Sequence, residues 1–183
     1  MNALDHALFL SLNLGPGAPP WLVEATLAFS ASLLYVAGAA ALVVALAATP
    51  PQRRAAQRVL LAMVLGTLAV ELLKRGFNRP RPMALGLGQQ WLAHEAGHSF
   101  PSAHATLAMA CALAAAMAPL PGGTRALLMG LALAEGWSRI AVGVHFPTDV
   151  LAGWCLGALC AWAAWRLPVP DDARLRQWLA RWR

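Results

Sequence analysis

The sequence predicts an all-α, polytopic membrane helix bundle, and three observations predict it. Of 183 residues, 59% are hydrophobic and only 12% charged, and the mean hydropathy is +0.56; a soluble domain is nearer a quarter charged. Several apolar runs reach the roughly 20 residues that a bilayer crossing needs. Almost every cation stands at the end of such a run or in a short loop, so the net charge of +6 forms no basic face for nucleic acid. The expectation is one integral-membrane domain over residues 1–183, with five clear spans and a short N-terminal surface helix.

Residues 3–14 are apolar but too short to cross, and they end at the breaker run Gly15-Pro16-Gly17-Ala18-Pro19-Pro20. They read as a helix lying at the membrane surface. The first fifteen residues lack the basic start of a cleavable signal. The first span is Trp21 to Ala48, with Trp21 at an interface. Thr49-Pro50-Pro51 stops it, and Gln52 to Arg58 reads as a basic turn. The second span runs from about Gln57 to Gly76 and closes in Glu71-Leu72-Leu73-Lys74-Arg75. The longest polar stretch between spans, 77–100, follows. The third span is Pro101 to Pro119, the fourth Thr124 to Gly143, and the fifth Pro147 to Leu167. Residues 168–183 read as a cytoplasmic amphipathic tail with Trp178 and Trp182 among arginines. Cys111, Cys155 and Cys160 fall inside apolar runs, as small core residues rather than disulfides or metal ligands.

The cations orient the bundle. One side receives nine of them, Arg53, Arg54, Arg58, Arg125, Arg166, Arg174, Arg176, Arg181 and Arg183; the other receives five, Lys74, Arg75, Arg79, Arg81 and Arg139. The positive-inside rule puts the nine in the cytoplasm. The five then sit on the outer face against the rule, which marks them as functional. On that face the second and fourth spans end with Lys74 and Arg139, while the third and fifth begin with Ser102, His104, His145 and Asp149. Helix N-termini, guanidinium groups and an ammonium converging on one site suit a multiply charged anion such as phosphate. Two histidines and an aspartate add chemistry: one imidazole can attack phosphorus and the other can protonate the leaving oxygen. With Pro147 opening the fifth helix, a carboxylate at Asp149 can reach back to one imidazole nitrogen and fix its tautomer. The plain alternatives are an N-cap Ser102 with an incidental histidine and a structural loop histidine at His145. Glu71 and Glu135 lie four residues before Arg75 and Arg139, at helical ion-pair spacing. Glu135, with Ser138 beside it, is therefore expected to hold Arg139 in place.

Lys74-x6-Arg81-Pro82, Pro101-Ser102-Ala103-His104 and Ser138-Arg139-x5-His145-x3-Asp149 resemble the three signatures of the type 2 phosphatidic acid phosphatase superfamily, over about residues 74–149. The resemblance implies His145 as nucleophile, Asp149 as its orienting partner and His104 as general acid. It also implies phosphate binding by Lys74, Arg81, Ser102 and Arg139, a phosphohistidine intermediate, and neither metal nor other cofactor. Ala103 stands where the family usually has glycine. Within the superfamily the chain is most similar to small bacterial undecaprenyl pyrophosphate phosphatases. The likeness lies in its start, Asn2 to Phe9, its loop, Gln90 to Phe100, and Gly143 to Gly153. That resemblance implies a polyprenyl or phospholipid substrate, a bacterial inner-membrane location with the site facing outward, and no obligate protein partner. Arg75 and Arg79 are the candidates for a second phosphate; the plain alternative is that they meet lipid headgroups. The alternative within the class is a general lipid phosphatase acting on phosphatidylglycerol phosphate, phosphatidic acid or lipid A.

Two readings compete from outside that class. His94-Glu95-Ala96-Gly97-His98 matches the H-E-x-x-H pattern of zinc peptidases. Gly97 weakens the helix this needs, Pro101 limits it to a turn or two, and no third ligand follows. A non-enzymatic anion-binding membrane protein explains the cations and Gly153-x3-Gly157, a helix-packing spacing, but it has no need of two histidines and Asp149. Vanadium haloperoxidases share the phosphate motifs but are soluble.

Overall fold

The computed structural model describes residues 3–93 and 97–169. Their regular structure is all helical, as expected, with six α-helices in chain order: α1 (Ala3–Leu12), α2 (Pro20–Ala47), α3 (Pro50–Gly76), α4 (Ala103–Ala116), α5 (Gly122–Ala141) and α6 (Pro147–Arg166). A short 3-10 turn, Pro82–Leu85, lies in the loop between α3 and α4. The expected tail helix and His94-Glu95 lie outside the described residues.

Prolines start these helices more often than they stop them. Pro20, Pro50 and Pro147 each occupy the first helical turn, where the missing N–H costs nothing. The expected basic turn at Gln52–Arg58 is therefore the first two turns of α3. Thr49 caps it: the Gln52 side-chain oxygen accepts from the Thr49 backbone N–H at 3.3 Å and from its hydroxyl at 2.8 Å. Pro101, expected to open the third span, precedes the helix. Ser102 is the N-cap of α4, and its hydroxyl accepts from the Ala105 N–H at 3.5 Å.

Among the described residues, three helices, α2, α3 and α6, are long and apolar enough to cross a membrane by length and composition, where five spans were expected. The 28 residues of α2 extend about 42 Å, whereas the 14 of α4 extend only about 21 Å. α4 is enclosed by α3, α5 and α6, and α5 carries Arg125, Glu135 and Arg139. The outer surface is strongly apolar: Tyr35 and Leu46 on α2 and Leu72 on α3 are 82%, 72% and 71% exposed. A water-facing surface rarely presents such large apolar groups together. Cys155 is also exposed, whereas Cys160 is buried.

The central contact is between α4 and α6, and glycine makes it. A Cβ added at Gly153 would stand 2.7 Å from the Ser102 carbonyl oxygen, and one at Gly157 2.3 Å from that of Thr106. The two glycines let the α6 backbone ride on α4, whose facing residues include the buried alanines 105 and 110. α1 is docked rather than simply lying at a surface. Phe9 is fully buried, edge-on to Phe146 at 5.5 Å, and His6 stacks on the same ring.

Candidate active site

One end of the bundle collects the polar residues. α3 ends there with Lys74 and Arg75, and α5 ends there with Ser138 and Arg139. α4 begins there at Ser102, with His104 half-buried in its first turn, and α6 begins there just after His145. The 77–100 loop adds Arg79 and Arg81. Backbone bonds lock these pieces together. The Ser102 N–H donates to the Asp149 carbonyl at 3.1 Å, and the Ser99 N–H to that of Arg79 at 2.9 Å. Arg81 Nη1 donates to the Val144 carbonyl at 2.8 Å. Asn13, just past α1, clamps the far side: its side chain bonds Gln89 in both directions and the α5 carbonyls of Ile140 and Ala141. Gly143 permits the turn after α5, with φ +83° and a Cβ position only 2.2 Å from the Gln89 carbonyl oxygen. All three sequence motifs therefore meet.

His145 and Asp149 occupy the heart of this end, 3% and 0% exposed. Asp149 Oδ2 accepts from the Phe146 N–H at 2.9 Å, which closes the first turn of α6. His145 Nδ1 lies 3.7 Å from the same oxygen, beyond hydrogen-bond length but within ion-pair reach. Burial pulls the His145 pKa down to about 4, against the opposing pull of Asp149 and with added repulsion from Arg81 and Arg139. The imidazole is thus neutral at pH 7, the form that carries a lone pair. Burial also lowers the Arg81 pKa, and the Asp149 charge opposes that shift.

The guanidinium groups of Arg81 and Arg139 are buried. Arg81 Nε and Arg139 Nε and Nη2 have no hydrogen-bond partner. Buried donors left unpaired are costly, and an oxyanion beside them would accept from all three. Arg139 Nη1 donates to Ser30 Oγ on α2, which in turn donates to Glu135 Oε1 at 3.4 Å. The expected direct pairing of Glu135 with Arg139 is thus mediated by Ser30. Ser138 turns back onto its own helix, donating to the Glu135 carbonyl at 2.7 Å.

Beside Arg81 opens a cleft of about 340 Å³ lined by Glu71, Lys74, Arg75, Arg81, Gly97 and His98. Arg75, a candidate for a second phosphate, lines it. Arg79 does not: it pairs with Asp5 through one terminal nitrogen and with Asp149 Oδ1, at 2.6 Å, through the other. Buried Asp5 outcompetes the cleft for that guanidinium. Asp5, Ser30 and Thr148, with the Asn13 clamp, are among the polar residues at this end that sequence reasoning missed. Asp5 had one signal, as the only acidic residue before Glu24.

The family model described as the PAP2 superfamily matches residues 55–171. The chain belongs to the PAP2 superfamily. It is 32% identical to the Escherichia coli protein named "Putative undecaprenyl-diphosphatase YbjG", over 90% of this chain and 85% of that one. It is 34% identical to a Rhizobium johnstonii lipid A 1-phosphatase over 55% of this chain and 42% of the relative. Aquifex aeolicus LpxE superposes with a TM-score of 0.77 at 28% identity, covering 91% of this chain and 97% of that structure. A PAP2-type phosphatidylglycerolphosphate phosphatase from Bacillus subtilis gives 0.68 at 26% identity, over 90% and 85%. With its apolar helices, this PAP2 protein is a membrane phosphatase of that superfamily.

Proposed function

We propose that this PAP2 protein hydrolyses undecaprenyl diphosphate to undecaprenyl phosphate and inorganic phosphate, without a metal, at an outward-facing site of a bacterial inner membrane. The observation that carries the reading is the cleft of about 340 Å³ that continues from Arg81 to Lys74 and Arg75. A diphosphate monoester has a second phosphoryl group to place there, with charge for the extra cations. The likeness to the Escherichia coli relative named for this activity supports the same choice.

In this mechanism the terminal phosphoryl group lies among Lys74, Arg81, Ser102 and Arg139. His145, its Nδ1–H held toward Asp149, attacks phosphorus through Nε2. The bond to the bridging oxygen breaks, and His104 gives that oxygen a proton, releasing undecaprenyl phosphate. His104 then takes a proton from water as the water attacks the phosphohistidine, which restores His145 and releases phosphate. α4, though short, and α5 cross the bilayer within the bundle, giving five crossings in all.

The second reading is a general lipid phosphatase, favoured by the likeness to lipid A 1-phosphatases and to the phosphatidylglycerolphosphate phosphatase structure. Phosphate release by purified full-length protein, with EDTA present, separates the two. The panel is undecaprenyl diphosphate, phosphatidylglycerol phosphate, phosphatidic acid and lipid A. The proposal expects a higher kcat/KM on the diphosphate, and Arg75→Ala narrows the gap. Equal kcat/KM across the panel favours the general phosphatase. Loss of activity with EDTA would return attention to His94 and Glu95 as part of a zinc site.

A further inference from the structure

We propose that Asp5 is a positioning residue. Acting through Arg79, it fixes the Asp149 carboxylate that faces His145, so that α1 is a working part of the site. The inference rests on the phosphatase reading above and concerns Asp5, which lies outside its three motifs.

The geometry is a relay between two buried carboxylates, carried by a partly exposed Arg79 and an exposed Thr148. The two terminal nitrogens of Arg79 divide between two carboxylates, Nη2 to Asp5 Oδ2 and Nη1 to Asp149 Oδ1 at 2.6 Å. Asp5 is 3% exposed and Asp149 0%. Thr148 fills the remaining angles: its N–H and hydroxyl donate to the two Asp5 oxygens at 3.1 and 2.7 Å, and Arg79 Nη1 donates to its hydroxyl at 2.6 Å. The Arg79 guanidinium also stacks over Phe146, 4.6 Å from the ring centre. Asp149 Oδ1 thereby faces Arg79, and Oδ2 faces the Phe146 N–H and His145 Nδ1. Without Asp5, Arg79 keeps a single buried anion partner and loses the second anchor that fixes the angle of its guanidinium. Asp149 then loses its orientation.

A purely structural role explains the relay poorly. Phe9 already anchors α1 by apolar burial, and a buried ion network is a costly way to dock a helix that apolar contacts can dock. What this arrangement supplies and apolar packing cannot is a rotationally fixed carboxylate at Asp149. Burial works against an ionised Asp5, but the bonds from Thr148 and Arg79 outweigh it, and its pKa falls below the ordinary value.

The test measures phosphate release by full-length Asp5→Asn, Arg79→Ala, Arg79→Lys and the Asp5→Asn/Arg79→Ala double variant. Undecaprenyl diphosphate and phosphatidic acid both serve as substrates, so the outcome does not depend on substrate preference. Misorienting a catalytic group by about 1 Å costs on the order of 10²-fold. We expect kcat to fall about 10- to 100-fold in Asp5→Asn and Arg79→Ala, with KM nearly unchanged. The double variant should be no worse than Arg79→Ala, because both changes cut one relay. Arg79→Lys, whose single ammonium reaches one carboxylate, should recover part of the loss. Asp5→Asn is nearly isosteric and keeps the comparison with Arg79→Lys available if Arg79→Ala does not fold. Wild-type kcat in Asp5→Asn, penalties that multiply in the double variant, or a rise in KM at constant kcat would each overturn the relay. An inactive wild-type protein on both lipids would instead overturn the phosphatase reading, and the relay with it.

Discussion

At the scale of single residues, His145 decides the behaviour with pH. Its pKa is about 4 in the folded protein, against an ordinary value of about 6.5. Between these values the unfolded chain binds a proton that the folded chain refuses. The contribution of the neutral imidazole to stability is therefore complete above about pH 6.5 and is lost as pH falls toward 4. Thermal midpoints of the detergent-solubilised protein should drop over that interval, and His145→Gln should flatten the drop. An unchanged slope in the variant would mean that His145 is not buried as a neutral group. The motif residues were legible because ionisable groups are rare in so apolar a chain, and the spacing of His145 and Asp149 around Pro147 announced a helix start. Asp5 and Ser30 were not. Their partners lie 74 and 109 positions away, and neither local pattern nor composition carries such a pairing. Arg79 was misplaced for the same reason, since a cation beside a phosphate motif looks like a ligand until a buried carboxylate is found to hold it.

At the scale of elements, the α4–α6 contact sets the geometry that joins the second and third motifs. Gly157 is its tightest point, with a Cβ position 2.3 Å from a backbone carbonyl oxygen that cannot move aside as a flexible side-chain end can. Gly157→Leu should cost about 3 kcal/mol or more of stability, at the upper end of ordinary overpacking. It should also lower activity without touching a catalytic group. A thermal midpoint within a degree of wild type would show that the helices do not meet as described. This contact was legible as Gly153-x3-Gly157, because small residues at that spacing mean close packing in any membrane protein. The start of α3 was not. Pro50 and Pro51 read as a stop, yet the same residues suit the first turn of the next helix, and a one-residue link separates α2 from its cap.

At the scale of the whole molecule, the bundle places nearly all its chemistry at one end. The exposed apolar surfaces of α2, α3 and α6 give the flanks to lipid. Composition marked all five apolar runs, but it does not show that α4 is only 14 residues long and enclosed by α3, α5 and α6. The outward orientation of the site is tested by cysteine labelling. Met83 is exposed in the loop of the site, and Gly123 is unobstructed at the opposite end of α5. Met83→Cys should react with an impermeant reagent on intact cells and Gly123→Cys only after permeabilisation; the reverse would put the site in the cytoplasm. The account stands on His145 as the group that takes the phosphoryl from a lipid. Its most direct test is phosphate release from undecaprenyl diphosphate by full-length His145→Ala, with EDTA present, against wild type at equal folded protein. The predicted result is a wild-type rate that EDTA leaves intact and a variant rate indistinguishable from the blank. Release by His145→Ala at near wild-type rate would contradict the account.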